Sequence, residues 1–304
     1  MISENAMLYI ANGLTIQSEL DLPFADGQKL PTPADVSIRI DQIPPFAAAG
    51  LTQFGPLMWF KGTERFLIQI PQVATYYVER GRDIVVSPAS TADNATVRLF
   101  LLTTALPALL IQRGNLLLHG SCVRVEDQCI AFIGPSGSGK STLAAGFLNR
   151  GYSVLTDDLL VVTPDNNAMY GANQIELWPD AARLQEISSE ALAPVRQQIR
   201  RLSLPLEHKG NNQPLPITHI YSIGRELVTK PHLQPITGLA RLEPLYKNTY
   251  RPRYLQGMAQ QARHMQLSVS LAASASMAKL TFPRETFATQ SSIERILADF
   301  SGAE

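Results

Sequence analysis

The chain has little with which to build a disulfide scaffold, a membrane anchor or a polyanion-binding face. Its 304 residues include two cysteines, Cys122 and Cys129, on adjoining apolar runs separated by a polar turn. Two thiols so placed argue for buried free cysteines and against a disulfide framework. Lysine and arginine together number 26, as do aspartate and glutamate. No long basic run occurs, so neither nucleic acid nor an acidic membrane is expected as the main partner. The opening residues, MISENAMLYIANGL, carry an acid early and lack a basic stretch before a long apolar core, unlike a signal peptide. The most apolar run, Leu99 to Ile111, is short for a bilayer span and holds Thr103, Thr104 and Pro107. A soluble, cytoplasmic protein is the expectation, with homo-oligomer formation left open. The length suits one large domain or two ordinary ones.

What the chain does have is a glycine-rich run with a stated chemistry. Gly134-Pro135-Ser136-Gly137-Ser138-Gly139-Lys140-Ser141, followed by Thr142, fills every fixed position of the phosphate-binding pattern G-x-x-x-x-G-K-[ST]. An apolar run, Cys129 to Ile133, leads into it, and small and apolar residues suited to a packed helix follow from Thr142 to Asn149. Strand, loop and helix in that order let backbone N–H groups point at phosphate oxygens while the helix aims its positive end at the same place. Lys140 supplies a cation for the outer phosphates of ATP, and the Ser141 hydroxyl is a ligand for Mg²⁺.

Phosphoryl transfer also needs a carboxylate near the metal and a group to take the acceptor's proton. Asp157-Asp158 interrupts the first apolar strand after the loop helix, Tyr152 to Val162, and one helical crossover returns that strand beside the loop. Neighbouring strand residues point to opposite faces, so the two aspartates are expected to divide the work, one on the metal and the other as base. The sequence leaves open which does which. His119 lies in the apolar strand Leu116 to Val125, followed by Gly120, which permits close approach of backbone or ligand. Glu126-Asp127-Gln128 is too short for a parallel crossover, so this strand and the loop strand must be antiparallel and the sheet mixed.

The remainder reads more coarsely. Alternation at Val36, Ile38 and Ile40, and at Phe66, Ile68 and Ile70, predicts strands, with others over Leu8 to Ile16, Leu57 to Lys61, Thr75 to Glu79 and Ile84 to Val86. Val97 to Gln112 predicts an apolar helix capped from the Ser90-Thr91-Ala92-Asp93 side. Later expectations are a strand from Ala168 to Leu177, a helix from Trp178 to about Arg201 and an exposed loop from Leu202 to Pro216. His219 to Gly224 reads as a strand, Gly238 to Tyr246 and Pro252 to Ser276 as helices, Ala278 to Phe282 as a strand and Ser291 to Phe300 as a helix. Glu176 is a further candidate for the metal shell. Lys209, Arg251, Arg253 and Arg263 are candidate clamps for phosphate or an acidic peptide, Lys209 foremost.

The series LLLHGSCV, GPSGSGKST and GYSVLTDDLLVV resembles the catalytic core of the HPr serine kinase/phosphorylase superfamily, and more distantly the ATP-dependent phosphoenolpyruvate carboxykinases. The β-rich start and the later IELWPDAARL are similar to the branch containing lasso-peptide precursor kinases. The resemblance implies an α/β fold, a mixed-sheet P-loop kinase core over residues 116–304, with a smaller mainly β N-terminal domain over 1–89 and a connector helix over 90–115. It also implies that Gly134 to Thr142 hold the nucleotide, that His119 orients an aspartate, and that Asp157 and Asp158 with Ser141 form the base and metal pair. The implied activity is ATP- and Mg²⁺-dependent phosphorylation of a serine on a peptide or small protein. The Gly-rich second signature of true HPr kinases is absent, so HPr itself and a reverse phosphorylase reaction are not implied. A small-molecule hydroxyl kinase and a nucleotide-sensing module without catalysis are the rival readings. The same loop occurs in ABC transporter ATPases, but no LSGGQ-like signature follows.

Overall fold

The computed structural model describes residues 6–26, 33–185, 193–196, 199–206, 213–226, 228, 230–283 and 288–302. The chain divides into two compact units, Met1–Leu117 with Tyr250–Gln266, and Leu118–Thr249 with Leu267–Glu304.

The first unit is built on nine strands: β1 (Met7–Ala11), β2 (Leu14–Ser18), β3 (Ala25–Asp26), β4 (Val36–Ile40), β5 (Thr52–Gln53), β6 (Met58–Lys61), β7 (Arg65–Ile70), β8 (Ala74–Glu79) and β9 (Asp83–Pro88). They form one sheet in the order β3-β1-β2-β4-β9-β8-β7-β6-β5. The expected single strand over Leu8 to Ile16 is instead a hairpin, because Asn12 and Gly13 both take positive φ (54° and 69°). That is the dipeptide a two-residue turn of this hand prefers.

The helix Asn94–Gln112 packs in this unit, capped by the Asp93 carboxylate, which accepts from Thr96 N at 2.8 Å. Its 19 residues hold an 18-residue stretch of mean hydropathy 1.6, long and apolar enough to cross a membrane by length and composition, and longer than the apolar run alone suggested; 61% of that stretch is buried within the protein. Its middle, Leu101–Ala105, widens into a π turn just before Pro107. Proline has no N–H to give the carbonyl four residues back, which is that of Thr103. Arg251 Nε donates to that carbonyl at 2.9 Å, and its guanidinium lies 5.7 Å from the Tyr250 ring. Arg251 thus serves the backbone of its own unit.

The second unit carries β10 (Leu116–Val125), most of which falls here, β11 (Gln128–Ile133), β12 (Ser153–Thr156), β13 (Leu159–Val162), β14 (Asn167–Ala168), β15 (Gln174–Leu177), β16 (Ala193–Arg196), β17 (Ile199–Pro205), β18 (Leu215–Glu226), β19 (His232–Pro235) and β20 (Ser276–Pro283). β10 and β11 pair antiparallel across the short turn, with Val125 opposite Gln128, as the length of the connection requires. β11 runs parallel to β18, and β18 parallel to β20. β12 pairs antiparallel with β10, so the sheet is mixed. The helix Lys140–Asn149 buries Leu143 and Phe147 in a core shared with Phe132, Tyr221 and Ile293.

Several boundaries differ from the sequence expectation. The helix after Trp178 is short, Pro179–Leu184, and part of the span expected to continue it is β16 and β17, which join β15 in a separate three-stranded sheet. β17 also takes Leu202–Pro205 from the expected loop, and β18 takes Leu215 and Pro216. Leu204 and Leu206 are buried in the core, a period of two that Pro205 masked. Lys209 lies outside the described residues. The expected strand from Ala168 to Leu177 is two pieces in different sheets, and the helix from Pro252 to Ser276 breaks at Ala259, whose φ is 55°.

Candidate active site

The phosphate loop, the β12–β13 turn, β10 and the segment from β15 into the next helix meet around one cavity of about 220 Å³ in the second unit. Its floor is the loop. Gly139 has φ 110° and opens the helix Lys140–Asn149, a backbone state that side chains rarely adopt. Gly134 has no space for a side chain, since a Cβ there would sit 2.8 Å from the Ile223 carbonyl oxygen. Sequence therefore fixes how closely the loop lies on β18. Ser136, Gly137, Gly139, Lys140, Ser141 and Thr142 all line the cavity, whereas Gly134, Pro135 and Ser138 complete the loop behind it. The Ser138 hydroxyl is buried with no hydrogen-bond partner among the described residues.

Lys140 is only 5% exposed. Its Nζ donates to the carbonyls of Gly134 at 2.8 Å and Pro135 at 3.0 Å. Three donors on an ammonium let it hold these oxygens and still turn toward an anion in the cavity.

The two aspartates have separate environments. Asp157 is buried, and its Oδ1 accepts from Ser121 Oγ at 2.5 Å and from Ser141 Oγ at 2.9 Å. Its Oδ2 accepts from the Glu176 N–H at 3.2 Å. Burial pushes its pKa up, with the neighbouring Asp158 charge in the same direction, while the Ser121 and Ser141 hydroxyls and the Glu176 N–H pull the other way. Asp158 is about a third exposed and takes φ 67°, a left-handed conformation that costs a non-glycine residue energy but is most tolerable for Asp and Asn. That turn is how adjacent residues both reach one cavity despite the alternation of a strand. His119 Nδ1 lies 3.1 Å from the Asp158 carbonyl oxygen and 3.2 Å from its Oδ1. Burial first, then the Lys140 charge, lower the His119 pKa, and Asp158 opposes them.

Gly120 permits a close approach of backbone, as expected of it, since a Cβ there would meet the Phe132 carbonyl oxygen at 2.8 Å. The predicted residues His119, Lys140, Ser141, Asp157 and Asp158 thus come together, and Glu176 joins them on the wall. Arg253 and Arg263 do not line the cavity and lie exposed in the first unit. Sequence reasoning missed Ser121, Trp178 and Asp180. Ser121 left one signal, a small hydroxyl beside Gly120 in a largely apolar strand.

The donor set suits a hard cation. Mg²⁺ takes one or two carboxylates and keeps water and phosphate oxygens for its other positions, and here a hydroxyl and a carboxylate face each other at Ser141 and Asp157. Among the described residues no group of three or more His, Cys, Asp or Glu side chains forms a ready protein-only metal cage.

No protein-family model matches the chain, and no curated protein matches it. Among solved structures the chain is similar to the HPr(Ser) kinase/phosphatase from Coxiella burnetii, at 10% identity over 61% of this chain and 95% of that one, with a TM-score of 0.29. A likeness that loose carries no argument about this chain's reaction.

Proposed function

We propose that this protein is an ATP- and Mg²⁺-dependent kinase that transfers the γ-phosphoryl group to a hydroxyl, a serine of a peptide or small protein. The observation that carries the reading is the split between Asp157 and Asp158. One carboxylate is buried against the phosphate-loop hydroxyl, and the other opens to the cavity beside a histidine, within the same cavity as Lys140. The peptide acceptor follows from the resemblance of the His119, loop and Asp157-Asp158 stretches to serine kinases.

In this reading the loop amides and Lys140 bind the phosphates. Ser141 and Asp157 hold Mg²⁺, which when bound neutralises charge on the phosphates. Ser121 and the Glu176 N–H fix the Asp157 carboxylate, so its orientation does not depend on the ligand. Asp158 accepts the proton of the attacking hydroxyl. His119, held through Nδ1, keeps Asp158 aimed.

The test is incubation with γ-labelled ATP and serine peptides, read by mass spectrometry. The wild-type protein is expected to transfer label. Asp158→Asn, which keeps the shape and the left-handed backbone, should lower transfer by roughly 10²- to 10⁴-fold with nucleotide affinity retained, and Asp157→Asn should raise the Mg²⁺ needed for half-maximal rate. Full transfer by Asp158→Asn would remove the base from this assignment.

A further inference from the structure

Phosphate chemistry leaves one large side chain in the cavity unused. Trp178 lines it, yet the residue is 50% exposed. Pro179 follows and helps to hold Trp178 extended, at φ −70° and ψ 149°, as a residue before proline prefers. The indole therefore stands on a fixed stalk at the end of β15, two residues beyond the Glu176 N–H that grips Asp157. Leu177 and Ala181, which also line the cavity, are buried. Single exposed apolar residues are ordinary on a protein surface, but an aromatic face on the wall of a polar phosphate site has a more specific use.

The cavity has two walls. His119 and Asp158 belong to the large mixed sheet, and the acceptor hydroxyl has to meet the outer phosphate on their side. Trp178 belongs to the other wall, the end of β15 in the three-stranded sheet. That wall also presents Glu176 and Asp180, two carboxylates that repel phosphate and acidic peptide but not an uncharged ring. A nucleoside triphosphate brings such a ring, which the loop does not hold. Every nucleobase has a π face, and an aromatic side chain stacked on one commonly strengthens binding roughly 5- to 150-fold.

We infer that Trp178 is the base-stacking platform of the nucleotide site, which makes the site select a nucleoside triphosphate over bare polyphosphate and accept either purine. This rests on the phosphate-donor reading above. The chain has two tryptophans, Trp59 and Trp178, so Trp59→Phe leaves one indole to report on the cavity. With Mg²⁺ present, ATP and GTP are expected to quench that fluorescence, and inorganic tripolyphosphate to bind by calorimetry without doing so. Trp178→Ala should weaken ATP roughly tenfold and leave tripolyphosphate unchanged, which also shows that the variant is folded, and Trp178→Phe should recover most of the loss. Equal affinity of the wild-type protein for ATP and tripolyphosphate overturns the inference while leaving the phosphate site standing. ATP affinity unchanged in Trp178→Ala also overturns it and hands the indole to the acceptor. Equal weakening of ATP and tripolyphosphate in Trp178→Ala reduces the indole to a structural part. If neither ligand binds the wild-type protein, the donor reading itself fails, and this inference with it.

Discussion

In the first unit, Arg251 donates to the Thr103 carbonyl, the Gln112 side chain accepts from the Gly81 N–H at 2.6 Å, and Tyr76 Oη donates to the Val97 carbonyl at 2.8 Å. Each of these long side chains bonds to the unit's own backbone. In the second unit Ser121, Ser141, Asp157, Asp158 and His119 bond to one another around a cavity instead. Both units also hold buried polar atoms without a partner among the described residues, Tyr77 Oη, Gln112 Nε2 and Tyr254 Oη in the first and Ser138 Oγ in the second, so satisfaction alone does not mark function. The difference lies in what the named groups converge on: a closed backbone in one case, a cavity in the other.

Two substitutions sharpen this contrast and a pH series cuts across it. The largest effect is expected from Lys140→Ala, which removes the cavity's loop cation. Phosphotransfer should fall about 10³-fold, with a melting temperature within a few degrees of wild type, because the lost bonds are to two loop carbonyls. A loss of folding instead would make Lys140 a structural part like Arg251. Next comes Gly257→Ala in the first unit, where a Cβ would sit 2.4 Å from ring carbons of Phe60. Phe60 is buried beside Phe66 and Tyr254, with ring centroids 5.0 and 6.1 Å away, and has little room to yield. Overpacking of this kind costs about 1–3 kcal/mol, visible in a denaturant titration, while ATP affinity should not change. An equal drop in nucleotide binding would erase the distinction between the units.

The smallest effect is expected from pH. Burial lowers the pKa of His264 in the first unit and of His219 in the second, where Asp299 opposes it. Below the ordinary histidine value of about 6.5 the unfolded chain takes up protons that the folded one resists, so stability rises with pH through this range. It is complete above about 6.5 and declines as pH falls toward the folded values. Thermal melts between pH 7 and 5.5 should show the decline, and His264→Gln should make it shallower.

The parts of the site legible in the sequence are those whose chemistry and spacing are local. The loop declares itself by glycines at fixed intervals before Lys140-Ser141, and Asp157-Asp158 by two charges in an apolar strand. The antiparallel β10–β11 pair followed from a connection too short for anything else. What escaped was decided by distant neighbours. Ser121 matters because β12 returns beside β10, and Trp178 because β15 leaves the main sheet and stands against the loop. Pro205 hid β17 by ending it rather than breaking it, while Leu202, Leu204 and Leu206 carried the period that identifies it. Asp158 turned out to reach the cavity through a left-handed backbone, which no strand alternation forecasts.

The seating of Tyr254 against Phe66, 4.8 Å between ring centroids, has a consequence for the order in which the protein comes off the ribosome. The first unit draws on Met1–Leu117 and on Tyr250–Gln266, so its aromatic cluster lacks a member until most of the second unit has been made. At translation rates of about 5–20 residues per second, the early strands wait on the order of ten seconds with Phe60 and Phe66 uncovered. Nascent chains stalled before Tyr250 should therefore be more open to protease and to chaperone capture than chains stalled after Gln266, with the first unit closing late rather than first.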